Sequence, residues 1–491
     1  MQPDTEKLSF REKAGYGFGD AAANFVFQTM LIFQLGFYTD VFGISAVAAG
    51  TLLLVGRFWD AFFDPFMGVV ADRTNTRWGK FRPWVLWSAV PFALFFFLAF
   101  TTPNFDSAGK LIYAYVTYIL LMTVYSVNNL PYSALNGVMT GNVNDRTSLS
   151  SFRFFFAMAA ALVVQGLTLP LVSKFGQGDA TKGWSLTIGM FALLSIVFFV
   201  ITFFSAKERI HPDPKQKTSA RTDFADLTRN KPWISMFVLT LFLFITLALW
   251  GSATFYYFTY YVSKESLYAF LQSLGLVTSG PVTGWWLGIL DSFGLIVHGQ
   301  GGHVSSVGFS FFNMSGQIVT IIGVLFSTLL AARFGKKIVY LIGLILTTIF
   351  TGLFILLPAD AVSLVFILNI CKSLAYGPTI PLLWAMMADV ADYAEWKTRR
   401  RATGVVFAGI VFALKAGLGL GGAICGWFLA GYDYVPNAIQ TEHALFGIRM
   451  TASIYPAITF LIGVVALTSY GINKKLSLQI QDELAERRKS F

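Results

Sequence analysis

The sequence predicts an all-α membrane protein with twelve spanning helices in two six-helix halves. Three observations predict it. First, the 491 residues are 55% hydrophobic and only 13% charged, where soluble domains carry about a quarter charged residues. Second, the apolar residues fall into a continuous series of long segments, each near the ~20 residues a helix needs to cross hydrocarbon. Third, Lys and Arg gather in alternate short loops, the orientation signal of a polytopic chain.

Taken in order, the apolar periodicity places helices at 16–38, 46–71, 83–102, 111–135, 151–173, 185–205, 233–261, 310–332, 338–357, 362–386, 403–430 and 448–471. Basic residues concentrate in the N-terminal tail and in 72–82, 141–150, 207–231, 333–337, 389–401 and the C-terminal tail. The intervening loops hold only Lys110, Lys174, Lys182 and Lys264. Both termini are therefore expected on the cytoplasmic side of the cell (inner) membrane. The connector after the sixth helix carries Pro212, Pro214 and many charges but no apolar run. The expected organisation is a half at 1–206, a linker at 207–232, a half at 233–471 and a tail at 472–491. The N-terminus lacks the layout of a cleaved signal peptide.

One segment interrupts the second half. Residues 263–308 form a long insert with Trp285, Trp286 and glycines at 299, 301 and 302. It is too short and too interrupted to span, so it is expected as an external lid, with a further half-helix as the other count. Part of it, 267–277, is apolar enough to lie along the membrane or cap the external mouth. His298 and His303 are expected as exposed loop residues, and Cys371 and Cys425 as free buried thiols. No metal or cofactor motif stands out. The +10 net charge is spread over loops, which argues against a nucleic-acid partner. Membrane lipid and a small molecule are the expected partners, with the chain acting as a monomer.

The chemistry lies inside the apolar segments. Asp60 and Asp64 are one turn apart on the second helix. An ionised carboxylate in hydrocarbon costs roughly 2.5–3.5 kcal/mol on insertion scales. Two adjacent ones repel, so one must hold a proton or both must share a cation. That describes a coupling-ion site; the alternative is pairing with Arg57 or another buried cation. Asp20 and Asn24 are likewise four apart on the first helix. Tyr125, Ser126, Asn128 and Asn129 crowd before Pro131, which removes a backbone hydrogen bond. Arg153, Lys372 and Lys415 are cations that cannot face lipid. They should line a cavity and meet carboxylates or an oxygen-rich substrate. Amides, cations and aromatic rings together suit a carbohydrate. The motifs of hydrolases, metalloproteases and ATP-driven pumps are absent from the sequence, so an enzyme is not expected and transport must use an ion gradient or run downhill.

Phe58, Trp59, Asp60, Asp64, Pro65 and Gly68, followed by Arg77 to Pro83, resemble the glycoside–pentoside–hexuronide:cation symporters of the major facilitator superfamily. Tyr16 to Gly19, Tyr38 to Asp40, Asn129 to Tyr132, Arg153 to Phe155 and Ala388 to Lys397 extend the resemblance to essentially the whole chain except the insert. It implies a major facilitator fold and cation-coupled sugar transport by alternating access. It implies cation ligands at Asp60, Asp64 and Ser126, with H⁺ or Na⁺ as the coupling ion and no cofactor. Sugar contacts are implied at Asn24, Asn129, Arg153 and Lys415, beside the candidates Asp20, Tyr125 and Lys372. Residues 72–80 and 333–337 resemble paired copies of the superfamily's loop motif. With Asp72 and Arg73, the residues Asp389, Asp392, Glu395 and Arg401 are the implied cytoplasmic gate.

The chain departs from melibiose carriers, which have carboxylates at the positions of Asn24 and Asn129 and an amide at Phe63. The first change is expected to leave Arg153 and Lys415 less neutralised, favouring an acidic or strongly polar substrate such as a hexuronide or a pentose-containing glycoside. The second removes a potential Na⁺ ligand and tilts coupling toward H⁺. The rival expectations are an uncoupled facilitator or exchanger, and a lipid transporter on the same fold.

Overall fold

The computed structural model describes residues 7–140, 142–209, 230–299, 303–399 and 403–489. Arg401 and most of the linker lie outside them. Among the described residues twelve segments are long and apolar enough to cross a membrane: α1 (Phe10–Phe42), α2 (Ala46–Arg73), α3 (Arg82–Ala99), α4 (Ser107–Met139), α5 (Asp145–Gly176), α6 (Ala180–Ser205), α7 (Lys231–Tyr261), α8 (Val304–Phe334), α9 (Lys336–Leu356), α10 (Val362–Thr398), α11 (Val405–Gly431) and α12 (Glu442–Thr468).

Local chemistry sets the helix starts. Ser9 and Glu12 form a reciprocal capping box at α1. Side-chain oxygens of Ser45, Asp106, Asp179, Asn230 and Thr441 accept from backbone N–H groups in the first turns of α2, α4, α6, α7 and α12. Pro83 and Pro232 sit in the first turns of α3 and α7, where no N–H is missed. Two spans are broken. α10 yields at Gly377 and Pro378 between Val362–Tyr376 and Thr379–Thr398, and α12 at Ser453.

Several segments run further than the apolar runs. α4 starts at Ser107 and α5 at Asp145, and α10 continues to Thr398. Asp389, Asp392 and Glu395 are thus helical and three apart on one face, not in a loop. Charge ended the apolar pattern there, but Ala391 and Ala394 between the charges keep the helix.

α1 and α7 hold corresponding places in the two halves, and both end in π-helix, at Phe37–Phe42 and Tyr257–Tyr261. The widened turns face each other. Thr39 Oγ1 lies 2.8 Å from the Tyr256 hydroxyl, and the Tyr260 hydroxyl donates to Asp40 Oδ2 at 2.7 Å. Tyr434, beyond α11, also donates to Asp40, and Asn437 Nδ2 donates to the Asp40 carbonyl at 2.6 Å. One aspartate of the first half thereby ties down two elements of the second.

The insert lies at this same end. It holds helices at Lys264–Ser273 and Trp285–Ser292, and a two-residue parallel pairing of Val277–Thr278 with Val297–His298. Leu267 and Leu271 are fully buried, and Phe270 packs on Phe366 of α10. This stretch caps the bundle instead of lying along its surface. Lys174 of α5 donates to the carbonyls of Asp291 and Ser292 at 2.7 and 2.9 Å, so the insert bridges both halves. His298 is exposed and meets Asp291 at 2.6 Å; His303 is exposed. Cys425 is buried, Cys371 half-buried, and both are free.

Candidate functional site

Asp60 lies at the middle of α2, fully shielded from solvent. Ser126 of α4 donates its hydroxyl to Asp60 Oδ1, and Arg57, one turn earlier, has its guanidinium 4.0 Å from Oδ2. From the other half, Lys415 of α11 brings its ammonium to 2.9 Å from Asp60 Oδ2 and onto Asp64. Two carboxylates therefore meet two cations. The acid pair, with the hydroxyl beside it, is thus held by Arg57 and Lys415, the pairing with buried cations that stood as the alternative to a coupling-ion site.

Glycine allows this approach. A Cβ at Gly417 or Gly421 would lie 2.5 or 2.3 Å from a carbonyl oxygen of α7, and one at Gly419 would lie 2.8 Å from Arg57 Cβ. Without side chains at these positions, α11 packs backbone to backbone against α7 while its other face meets α2. Lys415 follows from that packing. Phe63 stacks between Trp59 and Phe66, with ring centroids 6.2 and 5.5 Å away, and joins an aromatic row.

The expected sugar contacts separate into three groups. Asp20 with Arg153 and Tyr125 with Asn129 form two polar pairs within the first half. Arg153 pairs with Asp20 at 3.4 Å and lies 5.0 Å over the Tyr132 ring. Asn129 Nδ2 reaches the Tyr125 hydroxyl at 3.5 Å. Lys415 belongs to the acid pair. Asn24 and Lys372 line a cavity of about 300 Å³ between the halves, with Phe27, Phe244 and Trp250. Arg153 and Lys415, expected to be less neutralised in the sugar cavity than in melibiose carriers, each have a carboxylate partner here. Asp20 and the acid pair balance them.

Sequence reasoning missed most of the cavity wall: Gln28, Gln165, Asn313, Gln317 and Asn369. The signal was present, since amides within apolar helices must find partners, but it was applied only to Asn24 and the α4 cluster. Gln165 Nε2 reaches Gln28 Oε1 at 3.3 Å, and Asn369 Nδ2 donates to the Phe312 carbonyl at 2.7 Å.

At the end carrying the termini, Lys80 pairs with Asp72 at 3.0 Å, and Arg73 is exposed at the end of α2. Lys336 grips both oxygens of Asp389 at 2.7 and 2.8 Å, so each copy of the repeated loop motif supplies a lysine to an aspartate. Asp392 and Glu395 lie further along α10, and Arg401 is outside the described residues. Glu208, also missed, accepts from the backbone N–H groups of Lys80, Phe81 and Arg82 at 2.8, 2.7 and 2.8 Å. It fastens the start of α3 to the end of the first half.

Two six-helix halves around a polar cavity define a membrane transporter of the major facilitator fold. The likeness to solved structures is at fold level. The nucleoside transporter NupG superposes with a TM-score of 0.59 at 14% identity over 94% of this chain and 99% of that one. A bacterial homologue of the human peptide transporters PepT1 and PepT2 gives 0.61 at 12% identity over 99% and 100%. The chain belongs to the MFS/sugar transport protein family, whose pattern matches residues 15–289 and 303–474. Among its relatives are the inner membrane symporter YicJ of Escherichia coli K12 (34% identity, 98% of this chain and 96% of that one) and the isoprimeverose transporter of Lactiplantibacillus pentosus (33%, 95% and 90%). A glucuronide carrier protein homolog of E. coli K12 is 30% identical over 99% and 97%. The match includes most of the insert, which the motif resemblance had left out.

Proposed function

We propose that this protein carries a glycoside across the inner membrane in symport with a cation, H⁺ or Na⁺, by alternating access. One observation carries the reading. The carboxylates of α2 in one half are clasped by Lys415 of the other, beside an amide-lined cavity between them. A site spanning both halves converts occupancy into a change in how the halves are held.

In the charge-balanced arrangement Lys415 acts as a tethered cation. A proton or Na⁺ arriving at Asp60, Asp64 and Ser126 takes its place and releases the ammonium. Lys415 is three residues before Leu418, which lines the cavity, so the freed ammonium can turn toward sugar hydroxyls. Asp20, Tyr125, Asn129 and Arg153 give polar support within the first half, outside the lining of the cavity, and Asn24 and Lys372 make direct contacts. Phe63, held in its aromatic row, offers no oxygen to a metal ion, which favours H⁺. Asp72, Arg73, Asp389, Asp392 and Glu395 serve the gate at the termini end, read as cytoplasmic. The chain works as a monomer in lipid without a cofactor. The substrate is a hexuronide or a pentose-containing glycoside, supported by relatives named for glucuronide and for isoprimeverose.

The test is uptake into proteoliposomes over acidic and neutral glycosides, with Na⁺ and pH varied independently. Asp60→Asn is expected to abolish gradient-driven accumulation while retaining some exchange. Accumulation that continues unchanged would refute the acid pair as the coupling site, and a wild type that only equilibrates its substrate under any ion gradient would establish the uncoupled facilitator instead. Strong Na⁺ dependence at fixed pH would refute proton-only coupling.

A further inference from the structure

We propose that Lys372 is the anchor for an anionic group of the transported molecule, so that of the two glycoside classes the cavity selects the one bearing a carboxylate. This deepens the glycoside-transport reading and rests on it.

Lys372 lies ten residues into α10, about 15 Å along the helix from its start. Its ammonium sits 3.5 Å above the Trp250 ring, on the wall of the cavity between the halves. Arg57 and Lys415 face Asp60, and Arg153 faces Asp20. Among the described residues no carboxylate pairs with Lys372, and none lines its cavity. Amides form the polar wall instead.

An ammonium half-buried between membrane helices without a counter-ion is costly, and a ring face compensates only in part. A neutral sugar would leave that cost in place. A uronate would offset it with a charge-assisted hydrogen bond in a partly desolvated site, while its hydroxyls meet Asn24, Gln28, Gln317 and Asn369. The ring underneath fixes the ammonium in advance, so little ordering is lost on binding. An acid on the wall would repel such a substrate, and the wall has none. The position is separate from the acid pair, so ion and substrate charge need not compete for one group.

The test compares two probes that differ only at C6: the methyl β-glycosides of glucuronic acid and of glucose, with methyl β-xyloside as the pentoside. Exchange and binding are measured on full-length protein in proteoliposomes and detergent, near neutral pH. Wild type is expected to favour the glucuronide over the glucoside by at least tenfold. Lys372→Gln should reduce that ratio to within about threefold, with glucuronide affinity falling several-fold further than glucoside or xyloside affinity. Lys372→Arg should keep a clear preference for the acid. Folding of each variant is checked by melting temperature and gel filtration. Should Lys372→Gln fail to fold, the wild-type ratio and the Arg variant decide.

The inference is overturned if wild type treats the two probes alike, or if a folded Lys372→Gln protein keeps the full preference. If xyloside is exchanged and glucuronide is not, glycoside transport stands and the anchor is refuted. If wild type moves none of the probes, the transport reading fails and the anchor with it.

Discussion

Replacing Lys415 by Met keeps much of the side chain's apolar length and removes its charge. The ammonium is 2.9 Å from Asp60 Oδ2. At the effective dielectric of about 20 that suits protein sites, this attraction is roughly 6 kcal/mol, and that of Arg57 at 4.0 Å roughly 4 kcal/mol. Desolvation offsets much of both. The measurable loss on removing one partner of a buried pair is typically about 3–5 kcal/mol. Without Lys415, Asp60 and Asp64 share only Arg57 and carry an excess negative charge. The variant should recruit a cation to restore balance. Melting of the purified protein in detergent should therefore fall well below wild type in sodium-free buffer at alkaline pH. Lowering the pH or adding Na⁺ should recover much of the loss, and whichever recovers more identifies the ion the site prefers. Wild type, already balanced, should respond far less to either. Adding Asp60→Asn to Lys415→Met removes one charge of each sign, and the double variant should melt above the single one. A Lys415→Met protein as stable as wild type and indifferent to both ions would refute the reasoning. So would a double variant no better than the single.

Gly421→Leu would drive a side chain into the Ile245 carbonyl, 2.3 Å from the position of its Cβ. With no room to relax against backbone, α11 must move off α7, and transport should fall below a tenth of wild type in an uptake assay. Gly431→Ala, where nothing lies within 4 Å, should leave uptake unchanged. Glu208→Ala leaves three backbone N–H groups at the start of α3 without their carboxylate acceptor. Hydrogen bonds to charged groups are worth about 1.5–3 kcal/mol each, and water at this end will satisfy part of the deficit. A lower melting temperature and faster proteolysis at 74–82 are expected, and a loop as resistant as wild type would contradict the assignment.

Helix number, their order and the acid pair were legible because each is written locally. Apolar length gives a span, and the spacing of Asp60 and Asp64 gives a shared face. The ends of α4, α5 and α10 were not, since an apolar run stops at the first charges while helical hydrogen bonding continues through them. What Lys415 faces was also hidden. It depends on glycines 417, 419 and 421 bringing α11 against two other helices at once, a relation between segments about 350 positions apart in sequence. Sequence alone therefore placed Lys415 with the sugar and left the role of Lys372 open, and tertiary packing exchanged their emphasis. The π-helical ends of α1 and α7 escaped for a different reason. They share two aromatics and a threonine, Phe37-Tyr38-Thr39 and Tyr257-Phe258-Thr259, a pattern too short to mark a π-turn in an aromatic-rich chain.

Two of the polar contacts between the halves differ in chemistry, and the difference orders events. At the insert end Asp40 is held by neutral donors, the hydroxyls of Tyr260 and Tyr434 and the amide of Asn437, with the insert strapped across through Lys174. Releasing that end breaks hydrogen bonds that water can replace, about 1.5–3 kcal/mol for each to the Asp40 carboxylate before that replacement, so it need not bind an ion to open. At the centre the halves are joined through charge, and water does not easily replace Lys415 on a buried carboxylate. Only another cation can dissolve that contact cheaply. If the coupling ion does so, its binding loosens the central clasp while the hydroxyl latch alone holds the insert end, and the balance between the two contacts falls within the few kcal/mol over which a transporter's states must interconvert. Under the proposed symport, such a bundle would tie reorientation to the ion through one side chain, with Lys415 held on the acid pair until a substitute charge arrives.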